Sequence, residues 1–515
     1  MQITQGTAAL IVGYGVALLG IIAGLIRARA APRRWPVAPL LAAAVAVASA
    51  LLWSIVLGAL PRLASVLDAR ARSVVGGALT LAAGLMAGIV AAGRNHDARV
   101  ERGARIVDTS VSLVTAVVRR RDTIRLAGQP VPPLDESKHF KLIGTTGTGK
   151  STAIRELVAT ALERGDRAII ADPDGAYAAE FYDPACGDLV LNPFDPRSMR
   201  WDLFGELRDG HDGDLIARAL IPEQGGEDRA WRSYARVFLS ACLRQLARTG
   251  CREIATLHHL IAVAPVEELR TLLAATPVGP YLSDDNARFF ASVRAIATAQ
   301  LAPLEHFGQA GAAPLALRDW VRPGAGARRV LFLPYRASQI ATLRGVISTW
   351  MRIAIFETMD REEADHRIWF VIDELDALGA IDGLKDALAR LRKFGGRCVL
   401  GFQSIAQVSG TYGASDAQTI VENCGNTLIL RCSAAENGGT ARFASKLIGE
   451  RDVLREQLSR PQGGWLERAP RGRTVSLQRT TESAVLPAEI EQLPDLCGYV
   501  KFASSAVWLR VDFRR

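Results

Sequence analysis

His139-Phe140-Lys141-Leu142-Ile143-Gly144-Thr145-Thr146-Gly147-Thr148-Gly149-Lys150-Ser151-Thr152 decides the fold of most of this chain. The first five residues read as a short strand. A glycine-rich loop follows it directly, and Ile154, Leu157, Val158, Ala161 and Leu162 then recur at helical spacing up to Gly165. Strand, glycine loop and helix in that order are the context that confirms a Walker A motif. The glycines of Gly144 to Thr152 let backbone N–H groups turn inward around phosphates at the positive end of the helix. Lys150 adds a point charge for the β- and γ-phosphates of ATP, and the Ser151 hydroxyl takes a Mg²⁺ position.

Working outward, a second strand, Arg167 to Ala171, ends in Asp172-Pro173-Asp174-Gly175. Such carboxyl edges hold ligands in parallel α/β folds, and a plain turn explains these carboxylates equally well. Far downstream, Ile368 to Ile372 is an unbroken apolar run, the pattern of a strand buried on both faces, and it ends in Asp373-Glu374. Paired with the glycine loop this reads as Walker B. Asp373 holds Mg²⁺ through water, and Glu374 orients and activates the attacking water. After a helix carrying Arg390, Arg392 and Lys393, the strand Cys398 to Gly401 delivers Gln403 to the same edge, where a γ-phosphate sensor sits. The sheet also takes Arg329 to Leu333 and Asn426 to Leu430.

More than two hundred residues separate Lys150 from Asp373, too many for one strand–helix run. Between about Trp201 and Trp320 the pattern is helical, which predicts an inserted all-α domain. The expected division is therefore 138–200 with 321–515 as the nucleotide-binding domain and 201–320 as the insert. A polar, basic connector covers 94–137, and an N-terminal membrane region covers 1–93.

That region holds three uncharged apolar stretches, about 8–26, 37–60 and 74–92, each long enough to cross a roughly 30 Å hydrocarbon core. No basic residue precedes the first, which argues against a cleaved signal peptide. Arg27, Arg29, Arg33 and Arg34 follow the first stretch, and Arg94, Arg99, Arg102 and Arg105 follow the third. The positive-inside rule then sets both clusters and everything after Ala92 in the cytoplasm, against the pull of Arg62, Arg70 and Arg72. Gly20-x-x-x-Gly24 and Gly84-x-x-x-Gly88 are candidates for close helix packing, although glycine is common in membrane helices anyway. The net charge of +9 suits a polyanionic partner or the cytoplasmic face of a membrane, and an arginine-rich proteome would give the same balance. The 7 cysteines are scattered without a C-x-x-C pair, so they read as reduced thiols, neither a disulfide framework nor a zinc site. His258-His259 lacks partners at ligand spacing.

Taken together, the blocks resemble the type IV coupling proteins, the TraD/TrwB family within the FtsK/HerA class of motor ATPases. The matching blocks are the His-initiated strand and P-loop; Gly165-Asp166-Arg167 leading to Asp172-Pro173; and Leu191-Asn192-Pro193-Phe194-Asp195. Further along come Phe370 to Leu375, Arg392-Lys393 to Gln403-Ser404, Tyr412-Gly413, and Leu486-Pro487-Ala488-Glu489-Ile490 with Leu493-Pro494-Asp495-Leu496. They run collinearly from about Lys138 onward. The resemblance implies a RecA-like P-loop NTPase with a mostly parallel central sheet. It also implies a DNA-stimulated ATP hydrolase assembled as a hexamer in the bacterial inner membrane, its ATP sites lying between subunits. DNA, taken without regard to sequence, or a relaxase–DNA complex would pass through it to the proteins of a type IV secretion or conjugation channel, with the relaxase and those channel proteins as partners. By position, Arg392 matches an arginine finger reaching into the neighbouring subunit's site, Gln403 the sensor, and Trp231 an aromatic of the helical domain; a buried core tryptophan is the plainer reading of Trp231. Two departures stand out: family members usually show two N-terminal spans where three are read here, and the chain closes soon after the last block, without the acidic tail some members use to recruit a relaxase. An FtsK-type chromosome motor and an ATP-regulated protein-secretion scaffold are the rival readings.

Overall fold

The computed structural model describes residues 2–27, 38–59, 68–92, 99–109, 122–223, 228–307, 313–322, 329–360, 367–435, 438–459 and 474–514. Arg29, Arg33, Arg34, Arg62 and Arg94, on which the orientation argument draws, lie outside them. The chain divides into two compact units: Met1–Glu101 with Val453–Thr480, and Arg102–Asp452 with Thr481–Arg515.

In the first unit, three helices, α1 (Gln2–Arg27), α2 (Ala38–Ala59) and α3 (Ala69–Ala92), carry the apolar stretches. Two of them are long and apolar enough to cross a membrane, over Ala38–Leu57 and Arg70–Gly88; in α1 the apolar stretch among residues open to description is the shorter Ile11–Ile26. The two glycine motifs face each other. A Cβ on Gly20 would come within 2.5 Å of the Leu81 carbonyl, one on Gly84 within 2.6 Å of the Ala17 carbonyl, and one on Gly88 would strike the Ile21 carbonyl. Here the glycines are a packing device: only hydrogen lets the α1 and α3 backbones meet this closely.

The second unit is built on a ten-stranded sheet. In chain order its strands are β1 (Arg105–Asp108), β2 (Phe140–Ile143), β3 (Arg167–Pro173), β4 (Leu189–Val190), β5 (Val330–Tyr335), β6 (Ile368–Ile372), β7 (Gly396–Phe402), β8 (Asn426–Ile429), β9 (Cys497–Lys501) and β10 (Val507–Asp512). Their order across the sheet is β1-β10-β9-β8-β2-β7-β6-β3-β5-β4. From β8 to β4 every pairing is parallel; β9 runs antiparallel to both β8 and β10, and β1 is parallel to β10. The sheet is therefore mixed and mostly parallel, as the apolar runs suggest. The stretch read as a connector contributes β1 to it and a hairpin at 125–130 besides, which its polar composition hides.

Alternation of side chains sends each central strand to two cores. Ile368, Phe370 and Ile372 of β6 join one, Trp369 and Val371 the other. The second core is closed by Ala153, Ile154, Leu157, Val158, Ala161 and Leu162 of α4 (Lys150–Glu163), the helix that starts in the glycine loop. The first core is continuous with residues of the helices at 212–301 and with Ile340–Met359. Burying a strand on both faces this way fixes its carboxyl end rigidly, and the carboxyl ends of β2, β6 and β7 carry the site.

Candidate nucleotide site

The loop between β2 and α4 turns on Gly147 and Gly149, whose φ angles are +78° and +106°, a region open to glycine at little cost. At Gly149 a side chain would also collide with Leu496. The turn sets Lys150 and Ser151 at the start of α4, one strand away from the end of β6 (strand order β2-β7-β6).

All three charged or hydroxyl groups converge on one carboxylate. Lys150 Nζ donates to Asp373 Oδ1 at 2.5 Å and to the Asp373 carbonyl at 2.7 Å, and Ser151 Oγ donates to Asp373 Oδ2 at 2.5 Å. Tyr177 OH donates to the same Oδ2 at 2.9 Å. Beside them, Thr146 Oγ1 donates to Gln403 Oε1 at 3.0 Å, and Gln403 Nε2 donates to Glu374 Oε1 at 3.1 Å. A chain of hydrogen bonds thus joins the glycine loop to Glu374 through Gln403. Thr146, Lys150, Ser151, Glu374 and Gln403 line a cavity of about 420 Å³ together with Asp495 and Leu496, and Asp373 and Tyr177 stand behind Lys150 and Ser151.

The donor set fits a magnesium nucleotide. Ser151 Oγ and the Asp373 carboxylate are hard oxygens meeting at one point, the small number of protein ligands Mg²⁺ takes when phosphates supply the rest. Lys150 is buried, and among the described residues its ammonium is held by Asp373 alone, through the carboxylate and the carbonyl, so a phosphate would compete directly for it. Glu374 lies across the cavity from the loop, fixed by Gln403, as a base for water requires.

Tyr177 escapes a reading of sequence, and Asp495 and Leu496 enter it only as part of a family block, with no role at the site. Tyr177 follows the Asp172 turn, and Asp172 is what sets it: Oδ1 accepts from Tyr177 N at 2.9 Å and Oδ2 from Ala178 N at 2.7 Å. Burial pushes the Asp172 carboxyl up to about 6, and burial together with Asp373 raises the Tyr177 phenol. The aromatic hydroxyl just beyond the carboxyl edge of the strand next to Walker B was the available signal. Leu496 reaches the loop because its N–H donates to Thr148 O at 2.9 Å; no local pattern announces a contact more than three hundred residues away in sequence.

Arg392 does not join the cavity. It is exposed, in a turn (Arg392–Phe394) that precedes β7, at the amino edge of the sheet. Trp231 is half-buried among Tyr234, Tyr281 and Phe289, with ring centroids 5.1–6.2 Å apart.

A family model described as the type IV secretion-system coupling protein DNA-binding domain matches residues 123–514. The chain belongs to the type IV coupling protein family. Among its relatives, the coupling protein TraD of Escherichia coli (strain K12) is 31% identical over 389 residues, 73% of this chain and 52% of that protein. The chain thus spans about half the length of that curated relative. The solved coupling protein TrwBdeltaN70 superposes with a TM-score of 0.71 at 31% identity, covering 80% of this chain and 93% of that one. TrwB in complex with ADP and Mg²⁺ gives a TM-score of 0.70 at 31% identity over 81% and 94% of the two chains. These solved coupling proteins therefore share the RecA-like P-loop fold described above.

Proposed function

We propose that this coupling protein is a membrane-anchored, ATP-driven DNA translocase that hands DNA, or a relaxase–DNA complex, to a type IV secretion or conjugation channel. The observation that carries the reading is the convergence of Lys150 and Ser151 on Asp373 beside a Glu374 held by Gln403: the groups that hold phosphate and Mg²⁺ and the base for water stand together, and Arg392 is left for a neighbour to supply. The solved relative with ADP and Mg²⁺ supports the same ligands here.

In this reading Gly144 to Thr152 hold the phosphates, and Ser151 and Asp373 hold Mg²⁺, which when bound neutralises charge on the β- and γ-oxygens. Glu374 takes the proton of the attacking water. Gln403, bonded at once to Thr146 and Glu374, registers the γ-phosphate. Because Arg392 stands on the far edge of its own sheet, it serves the site of a neighbouring subunit, which makes a ring, as a hexamer, the working form. Residues 201–320 act as an inserted all-α domain carrying Trp231, 138–200 with 321–515 as the motor, 94–137 as a connector, and 1–93 as the anchor in the bacterial inner membrane with the motor in the cytoplasm. The exposure of Val12, Leu19, Leu40, Leu51, Leu52, Ile55, Val74 and Met86 on the N-terminal helices supports lipid contact.

The test is ATPase rate against DNA concentration for the full-length protein at low and moderate salt. A motor gripping phosphates is stimulated by DNA of any sequence, and stimulation falls with salt by about 0.7–0.9 in log–log slope per phosphate neutralised. A rate unchanged by DNA in the assembled oligomer defeats the translocase and favours a gate for protein cargo.

A further inference from the structure

Tyr335 ends β5, is 5% exposed, and among the described residues its hydroxyl makes no hydrogen bond. Burying a hydroxyl without a partner costs stability that a phenylalanine in the same place would keep. The backbone around it is fixed. Asp174 N donates to the Tyr335 carbonyl at 2.7 Å, and Asn192 Nδ2 donates to the Pro334 carbonyl at 2.8 Å.

Register sets what stands opposite. Tyr335 pairs with Pro173 of β3, and Ala171 of β3 pairs with both Leu333 of β5 and Ile372 of β6. Carried two residues past Ile372, this parallel register brings Glu374 level with Pro173 and Tyr335. Two strand spacings, about 10 Å, separate the two backbones, and Pro173 between them carries no polar side chain. A tyrosine and a glutamate reaching toward each other close that gap. Tyr335 points into the core that also holds Ile372, Leu375 and Leu378, the apolar residues on either side of Glu374.

The neighbouring carboxylates are already engaged. Asp373 accepts from Lys150, Ser151 and Tyr177, and Asp172 from the backbone of Tyr177 and Ala178. Glu374 accepts at Oε1 from Gln403, while its Oε2 has no partner among the described residues. Burial raises the Tyr335 phenol, and so does the charge of Glu374, ahead of Asp373, Asp172 and Asp376.

We propose that Tyr335 is a positioning residue for hydrolysis: when Gln403 leaves Glu374 for the γ-phosphate, the Tyr335 hydroxyl donates to one oxygen of Glu374 and turns the other toward water. This rests on Glu374 being the base, as argued above. The bond holds the carboxylate in its ionised form, since a donor favours the charged state.

The test measures ATP binding, melting and the pH profile of kcat for the full-length oligomer and for Tyr335→Phe. The variant binds ATP as the unaltered protein does and melts at the same temperature or higher, because the lost hydroxyl has no partner in the resting fold. Its kcat falls about 10- to 100-fold, the effect of losing a hydrogen bond to a charged group. The acid limb of its profile moves to higher pH, because Glu374 without its donor protonates more readily. In a Glu374→Gln background the same change costs little more. An unchanged kcat and acid limb overturn the proposal and leave Glu374 as the base. A fall in kcat with the acid limb unmoved, or an equal fall in the Glu374→Gln background, overturns it too, since Tyr335 then acts through the fold. A wild-type rate in Glu374→Gln alone removes the reading beneath it.

Discussion

The two edges of the central sheet use the same kinds of side chain for opposite ends. At the carboxyl edge, Lys150, Ser151, Asp373, Glu374 and Gln403 are bonded to one another in an open cavity, so a phosphate or a water can replace a partner. At the amino edge the ions are sealed. Arg164, closing α4, donates to Glu136 at 2.7 and 2.8 Å and to Asp166 at 2.5 Å; Trp369 Nε1 donates to Asp166 at 2.8 Å, and Arg397 lies 3.6 Å from Glu136. Arg164, Glu136 and Asp166 are at most 6% exposed. That cluster ties the starts of β2, β3, β6 and β7 to the end of α4 and leaves nothing to exchange. What separates a site from a clamp here is the space beside the ion pair: Lys150 and Asp373 are as buried as the clamp, 7% and 4% exposed, but Lys150 and Ser151 line an open cavity.

The sharpest way to break that contrast is Arg392, an exposed cation on the sealed edge. If it acts in a neighbour's site, Arg392→Ala binds ATP but loses about 10³–10⁵ in turnover. Mixing it with Lys150→Ala subunits restores part of the rate, because some interfaces then pair an intact loop with an intact finger; no recovery in well-mixed oligomers removes Arg392 as a finger acting in a neighbour's site. Next in size, Glu374→Gln should lose about 10²–10⁴ in turnover with its denaturation midpoint unmoved; a wild-type rate removes Glu374 as the base. Glu136→Ala is the mirror image. It strips two hydrogen bonds from the buried Arg164 guanidinium and leaves it Asp166 as its remaining carboxylate, costing about 3 kcal/mol of stability by denaturant titration, while kcat per folded molecule holds.

The smallest effect is a pH dependence at the sealed edge. His139 Nε2–H donates to Leu388 O at 2.9 Å and Nδ1 accepts from Cys398 N at 3.0 Å, a pair of bonds that only the neutral ring can make. Burial, aided by Arg397 and Arg392, depresses it from 6.5 to about 4. The unfolded chain therefore takes up a proton in this window that the folded chain refuses. Stability is full above about 6.5 and declines as pH falls toward 4, by about 3 kcal/mol from this one group. Stability curves at pH 7 and pH 4.5 for the native protein and His139→Gln check it: the variant, less stable at pH 7, should lose less on acidification.

The carboxyl edge was legible because each of its parts is a local pattern: glycine loop before a helix, apolar run before Asp373-Glu374, strand before Gln403. Those patterns are set by backbone geometry within a few residues. The amino edge was opaque for the opposite reason. Glu136, Asp166 and Arg397 look like ordinary surface charges until the fold brings three strand starts together. The same holds for β1, a polar strand that only a partner four hundred residues away makes into sheet, and for Asp495 and Leu496, noticed as part of a family block without any reason for their place. Tyr177 stood between, one turn from a carboxylate that was noticed. In the N-terminal helices the reverse happened: the glycine spacing was visible, and only the approach of Gly20, Gly84 and Gly88 to facing carbonyls distinguishes a packing seam from common membrane composition.

β1 lies in parallel beside β10, and Thr109 Oγ1 donates to Arg510 O at 2.8 Å across 401 residues of chain. At about 5–20 residues per second, a ribosome needs roughly 20–80 s between making one side of that contact and the other. Throughout that time the sheet lacks the strands that finish it, and late in it, once Asn426–Ile429 is made, β8 shows a bare edge where β9 belongs. The three apolar helices are already out of the tunnel for most of it. The apolar helices are thus made long before the nucleotide-binding sheet can close, and that sheet is whole only once β9 and β10 have been made.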